Sequence, residues 1–410
     1  MDTSESLVVF EKYNAWACAM EAHPILGDEY RRMQQLYALV TTSVSSFSET
    51  QVFSESYQRV YGPSRYGWEV LFRRFGQLKA QLATEERAIG NSLLLPVQFR
   101  LQPNSQVAAT TNPLALLRMA MAPFNSDVLV LRGQIEAMTQ FILTRLMLAI
   151  DEAESEVDSG ETMRYALNWM VEKFFVPGKS GTLYYAAALN GLRRPVSIKT
   201  SFEDFPKYMG PVVHYGAPPV RYVHCGDFTL PVMLDDRIKT DFMSVLKMVR
   251  KGEWAREQYD KHGMTFTVEH ASDADQLARG ILRMLYEHGC DVVEAVIDQV
   301  PGKPIDPNNP DTDPDFRARR LVFRLPACQF GVIMVEVNIQ CLEEQLVATV
   351  SHSKANHDLY TVHRYRATHF PWRFPQFVYG VNWGKDVQGQ DSEDWQRIAA
   401  WIRLRQEWKQ

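Results

Sequence analysis

Two stretches of this sequence hold the residue types that handle phosphate. Between Arg237 and Lys251 lie five cations, Arg237, Lys239, Lys247, Arg250 and Lys251, in a segment (DRIKTDFMSVLKMVRK) with the pattern of a helix and its N-terminal approach. Free backbone N–H groups at a helix start add to the pull of such cations on an anion. Taken alone, the segment also reads as a solvated basic helix face. The second stretch is acidic in the wrong place for a core. Glu336 interrupts the apolar run Val332 to Ile339, where a charge without a partner is costly. Further back, Asp260-Lys-His-Gly263 sets a carboxylate and a glycine at the mouth of a strand. If Asp260 and Glu336 face one cleft about 5 Å apart, they repel by about 3 kcal/mol at an effective dielectric of about 20. A bound Mg²⁺ would remove that penalty, and the cations would grip the phosphates it carries. The plainer alternative for Glu336 is an outward-facing strand position or a salt bridge to Arg324 on a neighbouring strand.

Other motifs fall away on spacing. Pro177-Gly178-Lys179-Ser180-Gly181 has the look of a phosphate loop, but the loop needs a glycine five residues before Gly178, where Lys173 stands. A turn is expected there instead. His352 and His357 are five apart on an expected helix, so they point to different faces and do not form a zinc pair. No G-x-S-x-G is present, and the five cysteines are scattered with no C-x-x-C, which reads as free thiols.

The order of the remaining motifs resembles the synthetase domain of the RelA/SpoT family, the alarmone (p)ppGpp synthetases, over about Asp235 to Arg366. That family carries R-x-K with a second lysine eight residues on, then D-x-x-G-x-R, G-Y-x-x-x-H, E-x-Q-x-R-T and A-x-H-x-x-Y. Here Arg237-Ile-Lys239 with Lys247 matches the first, and Asp260-x-x-Gly263 the second, with Thr265 in place of the arginine. Asp315-Phe316-Arg317-Ala318-Arg319-Arg320 stands where the third is expected, with Phe316 for the tyrosine and Arg320 for the histidine. Glu336-Val-Asn338-Ile-Gln340-Cys341 stands for the fourth, and Ala355-Asn-His357-Asp-Leu-Tyr360 matches the last.

What the resemblance implies is a pyrophosphokinase that moves the β,γ-diphosphate of ATP to the ribose 3′-hydroxyl of a guanine nucleotide or a related acceptor, tRNA among them. Arg237, Lys239 and Lys247 would hold ATP phosphates. Asp260 and Glu336 would be the catalytic and Mg²⁺-binding acids, Glu336 also activating the attacking hydroxyl. Phe316, Arg317, Asn338 and His357 would bind the acceptor. The alternative is a catalytically inactive nucleotide-binding or protein-interaction module of the same fold.

These residues need a scaffold, and 410 residues are too many for one compact core. Helical periodicity fills the first part, most plainly from about Ser126 to Glu156, where Leu131, Ile135, Met138, Ile142 and Leu146 share one face. Other helices are expected over Leu7–Ala22, Asp28–Thr42, Tyr66–Leu93 and Thr162–Phe175, with a polar loop from Pro103 to Pro113. Further on, β-rich runs at Met264–Glu269, Val292–Val300, Leu321–Leu325 and Val332–Ile339 alternate with helical stretches at Phe242–Lys251, Ala274–His288 and Leu342–Tyr360. The expected class is α+β: an all-helical domain over 1–158, a mixed β-sheet nucleotidyltransferase-like domain flanked by helices over 159–370, and an aromatic-rich tail with a helix over 371–410. The helical domain is left to engage a protein partner.

A net charge of −5 offers no global field for a polyphosphate backbone, so extended nucleic-acid binding is not expected. No stretch approaches the ~18 apolar residues of a membrane span, and the N-terminus lacks a secretory pattern, which makes the cytoplasm the expected compartment.

Overall fold

The computed structural model describes residues 3–42, 48–90, 101–153, 159–181, 184–187, 193–197, 212–214, 220–252, 254, 262–297, 319–328, 332–341 and 369–383. The elements begin with helices α1 (Thr3–Ala22), α2 (Pro24–Thr42), α3 (Glu49–Tyr61), α4 (Trp68–Gly90), α5 (Ser105–Ala109), α6 (Pro113–Ala120), α7 (Val128–Ala153) and α8 (Ser159–Phe174). Strands β1 (Phe175–Gly181), β2 (Tyr184–Ala187), β3 (Arg193–Ser197), β4 (Val212–His214), β5 (Val220–Cys225) and β6 (Phe228–Ile238) follow. The rest are α9 (Asp241–Lys251), β7 (His262–Val268), α10 (Ala271–Glu287), β8 (Asp291–Val296), β9 (Arg319–Arg324), β10 (Met334–Cys341), α11 (Phe370–Arg373) and α12 (Gln376–Tyr379). The chain is thus α+β, and no helix among the described residues is long and apolar enough to cross a membrane.

Two compact units divide the chain, and neither is continuous in sequence. The first takes Met1–Glu154, Thr240–Gln258 and Thr361–Trp395; the second takes Ser155–Lys239, Tyr259–Tyr360 and Gln396–Gln410. α9 and the segment with α11 and α12 belong to the first, helical unit. The cause is visible on α9. Phe242, Val245, Leu246, Met248 and Val249 form a buried stripe that shares one core with α2 and α7.

In the helical unit α7 is buried over most of its surface, and its enclosed faces carry polar residues such as Glu136, Gln140 and Arg145 beside the apolar ones. Leu131, Ile135, Met138, Ile142 and Leu146, the residues that mark its periodicity, are all buried. Asn104 and Asn112 cap α5 and α6, each accepting two backbone N–H bonds, inside the stretch expected to be a polar loop. α3, capped by Ser48, is likewise an addition to the sequence reading.

The second unit holds a seven-stranded sheet of order β1-β5-β6-β7-β10-β9-β8 and a three-stranded sheet of order β3-β2-β4. Neighbours in the large sheet are antiparallel except β7 and β10, which run parallel. One face carries Met264, Phe266, Val335, Val337, Ile339 and Phe323 into a core with Leu277, Ala278, Ile281 and Leu285 of α10. The packing is close enough to demand a glycine: a Cβ on Gly280 would stand 2.6 Å from the Cβ of Cys225. β7 to β10 follow the sequence expectation, but β1 to β6 stand where no strand is expected.

Candidate functional site

Strand register decides which of the candidate residues meet. Gly263 on β7 is the partner of Arg237 on β6 and, on its other side, of Glu336 on β10. Glu336 is in turn opposite Val322 on β9. Residues paired across a sheet share a face, so Arg237, Gly263 and Glu336 form one transverse row. With strands about 4.8 Å apart, the backbones of Arg237 and Glu336 are about 10 Å apart, with only a glycine between them. The next row along the same face runs Asp235, Thr265, Asn338 and Arg320. Small residues on β7 thus lie between polar ones on β6 and β10.

Glu336 is 7% exposed and belongs to the face opposite the apolar core, because Val335 and Val337 on either side of it are fully buried in that core. The amide of Asn338, two residues along and so on the same face, donates through Nδ2 to Glu336 Oε1 at 2.6 Å. Arg324 does not supply the salt bridge that the sequence allowed. It stands opposite Met334, two residues before Glu336, and binds Asp291 Oδ2 at 2.8 Å. Arg320, across from Asn338, is held by Glu294 of β8.

The basic segment is divided. Arg237 is the last residue but one of β6, and Lys239, half-buried, follows the strand in the second unit. α9 then begins at Asp241, with Thr240 Oγ1 accepting from the N–H of Met243. Lys247 lies within that helix in the first unit, and Arg250 and Lys251 occupy its last turn. There they complement the negative end of the helix rather than add to its N-terminal anion site, which corrects the reading of all five cations as one cluster. Asp260, Phe316, Arg317 and His357 fall outside the described residues, as do His352 and the expected helices 342–360 and 392–408.

The P-loop look-alike is a strand. Pro177 to Gly181 lie in β1, with Gly178 at φ 70°, and Lys179 rests its ammonium 4.2 Å from the ring centre of Tyr222 on β5. The turn expected there is replaced by an irregular stretch of pairing between Phe175 and Ser180.

Among the described residues no group of three or more His, Cys, Asp or Glu could hold a metal. The donors that Mg²⁺ takes are hard oxygens, with water and phosphate filling the remaining positions. Glu336 is a donor of that type, and Asp260 is another by sequence. The sequence reading passed over Asp235 and Glu294. Had β6 been recognised as a strand, its period of two would have put Asp235 on the face of Arg237.

No family model matches the chain, and no curated protein matches it. Among solved structures, part of the chain is similar to small alarmone synthetase 1 from Bacillus subtilis bound to its product pppGpp, at 20% identity and a TM-score of 0.24. That match covers 29% of this chain and 59% of the other. Another structure of small alarmone synthetase 1 from Bacillus subtilis is similar at 19% identity and a TM-score of 0.23, over 43% of this chain and 76% of that one. A likeness of this size assigns neither substrate nor reaction.

Proposed function

We propose that the second unit is a divergent RelA/SpoT-like nucleotide pyrophosphokinase, nucleotidyltransferase-like in layout, that moves diphosphate from ATP to a ribose 3′-hydroxyl of a guanine nucleotide or a related acceptor. The observation that carries this reading is the row Arg237, Gly263, Glu336. Three motifs that are separate in sequence contribute one residue each to adjacent strands, in the order a metal-bound triphosphate needs: cation, open backbone, acid.

In this reading Arg237 and Lys239 hold ATP phosphates, and Asp260, three residues before Gly263, joins Glu336 as an oxygen donor for Mg²⁺. The metal, when bound, neutralises phosphate charge and polarises the group in transfer. Glu336 accepts the proton of the acceptor 3′-hydroxyl; the oxygen forms a bond to the β-phosphorus, and the bond from that phosphorus to the α,β-bridging oxygen breaks, releasing AMP. Such chemistry rests on positioning and charge, which these residue types supply. Phe316, Arg317 and His357 are assigned to the acceptor on sequence order alone. Lys247 belongs to the other unit and is left out of this site.

Purified chain incubated with β-labelled ATP, Mg²⁺ and GDP, GTP, AMP-class nucleotides or tRNA tests the reading. Transfer to one acceptor that Glu336→Gln abolishes supports it; no transfer to any acceptor overturns it. A second reading, binding without catalysis, is favoured by Thr265, which puts a neutral side chain in the second row where the family pattern has a cation. Calorimetry separates the two. ATP binding that requires Mg²⁺ and is lost in Asp260→Ala favours the enzyme, and metal-independent ATP binding favours the silent module.

A further inference from the structure

The start of α2 and the end of α9 meet at one imidazole. We propose that His23 is a pH-sensitive latch, holding these two helix ends together while its ring is neutral and releasing them when the ring takes a second proton. The latch lies within the helical unit and does not depend on what the sheet unit binds.

The first N–H groups of a helix need partners outside its own ladder. In α2, Pro24 has no N–H to satisfy, and the N–H of Gly27 donates to the His23 carbonyl at 2.8 Å. The two N–H groups between them, of Ile25 and Leu26, both donate to His23 Nδ1 at 3.2 Å. On the other side of the ring, Nε2 lies 2.7 Å from the carbonyl oxygen of Val249, in the last turn of α9. A carbonyl only accepts, so Nε2 carries the hydrogen, and two N–H donors on Nδ1 require its lone pair. The partners therefore fix the neutral Nε2–H tautomer. The ring does for α2 what a capping asparagine or serine does elsewhere, and it covers a carbonyl at the end of α9 as well. Backbone comes close at the same place: a Cβ on Gly252, which follows α9 at φ 68°, would stand 3.4 Å from Pro24 Cγ.

A second proton can go only to Nδ1. It turns the acceptor of two bonds into a donor facing two donors, and it places a positive charge at the positive end of the α2 dipole. Burial opposes the charged ring and the bond to Val249 favours it; burial is the larger, so the ring is held below the ordinary histidine value. No charged side chain contributes to that balance. The nearest charges along the three elements are Glu21 at the end of α1, Asp28 and Glu29 in α2, and Arg250 and Lys251 in α9. Asp28 is paired with Arg32 at 3.1 Å. With the folded value depressed, the latch stabilises the unit fully above the unfolded value of about 6.5, and this contribution is lost as pH falls through the folded value.

The test follows the full chain, with isotope-labelled histidine, by NMR of the imidazole nitrogens as pH is lowered from about 8 to about 5. The His23 signal is assigned by its loss in His23→Asn or, should that variant not fold, in His23→Gln. Amide exchange of Ile25 and Leu26 is read over the same range as protection factors, which remove the intrinsic pH dependence of exchange. His369, buried in the same unit, is also held low by burial and acts on total stability in the same direction, so these two amides rather than overall melting decide. The neutral ring should carry its hydrogen on Nε2 and titrate below about 6.5. Protection of both amides should fall roughly fivefold to tenfold as the ring protonates, the range for a lost helix cap. In His23→Asn, which keeps a capping acceptor that does not titrate, that fall should be absent. A neutral ring with its hydrogen on Nδ1, a titration at or above the ordinary value, or protection that stays level while the ring protonates would each overturn the latch. So would a fall in protection that persists unchanged in the variant.

Discussion

Arg373 in the helical unit and Glu336 in the sheet unit are both buried titratable residues, and the hydrogen bonds described for them differ in kind. Arg373 is 1% exposed and is matched in place by opposite charge: Nε and Nη2 donate to the two oxygens of Glu86 at 2.8 and 3.0 Å, while Nη1 donates to Thr139 Oγ1 at 3.0 Å. Its partner lies 287 residues away, so the pair fastens the α11 segment to α4. Glu336 accepts a hydrogen bond from the amide of Asn338 on its own strand. The difference teaches that burial of a charge is no sign of function by itself. A bidentate pair across distant segments is a structural clasp, whereas Glu336 is placed by strand register in a row with Gly263 and Arg237.

The largest expected effect breaks this comparison if it fails. Arg373→Ala leaves Glu86 buried without its cation, and loss of one partner of such a pair costs about 3–5 kcal/mol. Urea denaturation followed by helical circular dichroism should show that loss. Glu336→Gln should stay within about 1 kcal/mol of wild type while removing Mg²⁺-dependent ATP binding. Equal destabilisation by both substitutions would erase the distinction between clasp and site.

Next comes the acid limb of the same clasp. Burial alone would raise the Glu86 carboxyl, but Arg373 and a bond from His369 outweigh it and bring it down to about 2. A depressed carboxylate stabilises the fold above its unfolded value near 4.5 and ceases to do so as pH falls toward 2. The helical unit should therefore lose stability over that window. In Arg373→Ala the same acid titration should be shallower, because the cation that holds the folded value down is gone.

How much of this was legible in the sequence follows from the range of the forces involved. α7 was readable because its apolar spacing is local and strict, and β10 because β-branched residues crowd it. β6 was not. It contains Pro231 and, just before its end, Asp235-Asp236-Arg237, which by local propensity argue against a strand. The ladders to β5 and β7 override that preference, and without β6 as a strand the row through Gly263 could not be drawn. Glu336 stood out because a charge in an apolar run violates a local rule. The clasp from Arg373 to Glu86 left no local trace, since each residue is an ordinary surface type on its own segment. The return of α9 to the helical core was also hidden, because its apolar stripe names no partner.

Asp241 gives a smaller effect of opposite sign to Glu86. It sits in the first turn of α9, and burial first, then repulsion from Asp151, push its carboxyl up to about 6, against the pull of Arg74. A raised folded value means that the folded state holds the proton longer than the unfolded one. This contribution is therefore full below about 4 and is lost as pH rises through about 6. Asp241→Asn should gain on the order of 1 kcal/mol at pH 7.5, after allowance for partial solvent screening and for the lost charge at the helix start, and nothing at pH 4. A gain that is the same at both pH values would show that the carboxyl is not raised.

The smallest effect uses thiols as reporters of the two units. Cys18 on α1 is exposed, while burial pushes Cys225 up to about 12 and Cys290 up to about 11 in the sheet unit. At pH 8 a thiol near 12 is a thiolate about one part in ten thousand of the time, so Cys225 should label only when its strand opens. Cys18 should react within the first minutes in native protein, and its modification should leave ATP binding and the melting of both units unchanged. Rapid native labelling of Cys225 would mean that β5 and α10 separate easily. The close approach at Gly280 would then not be the tight contact that its 2.6 Å clearance describes.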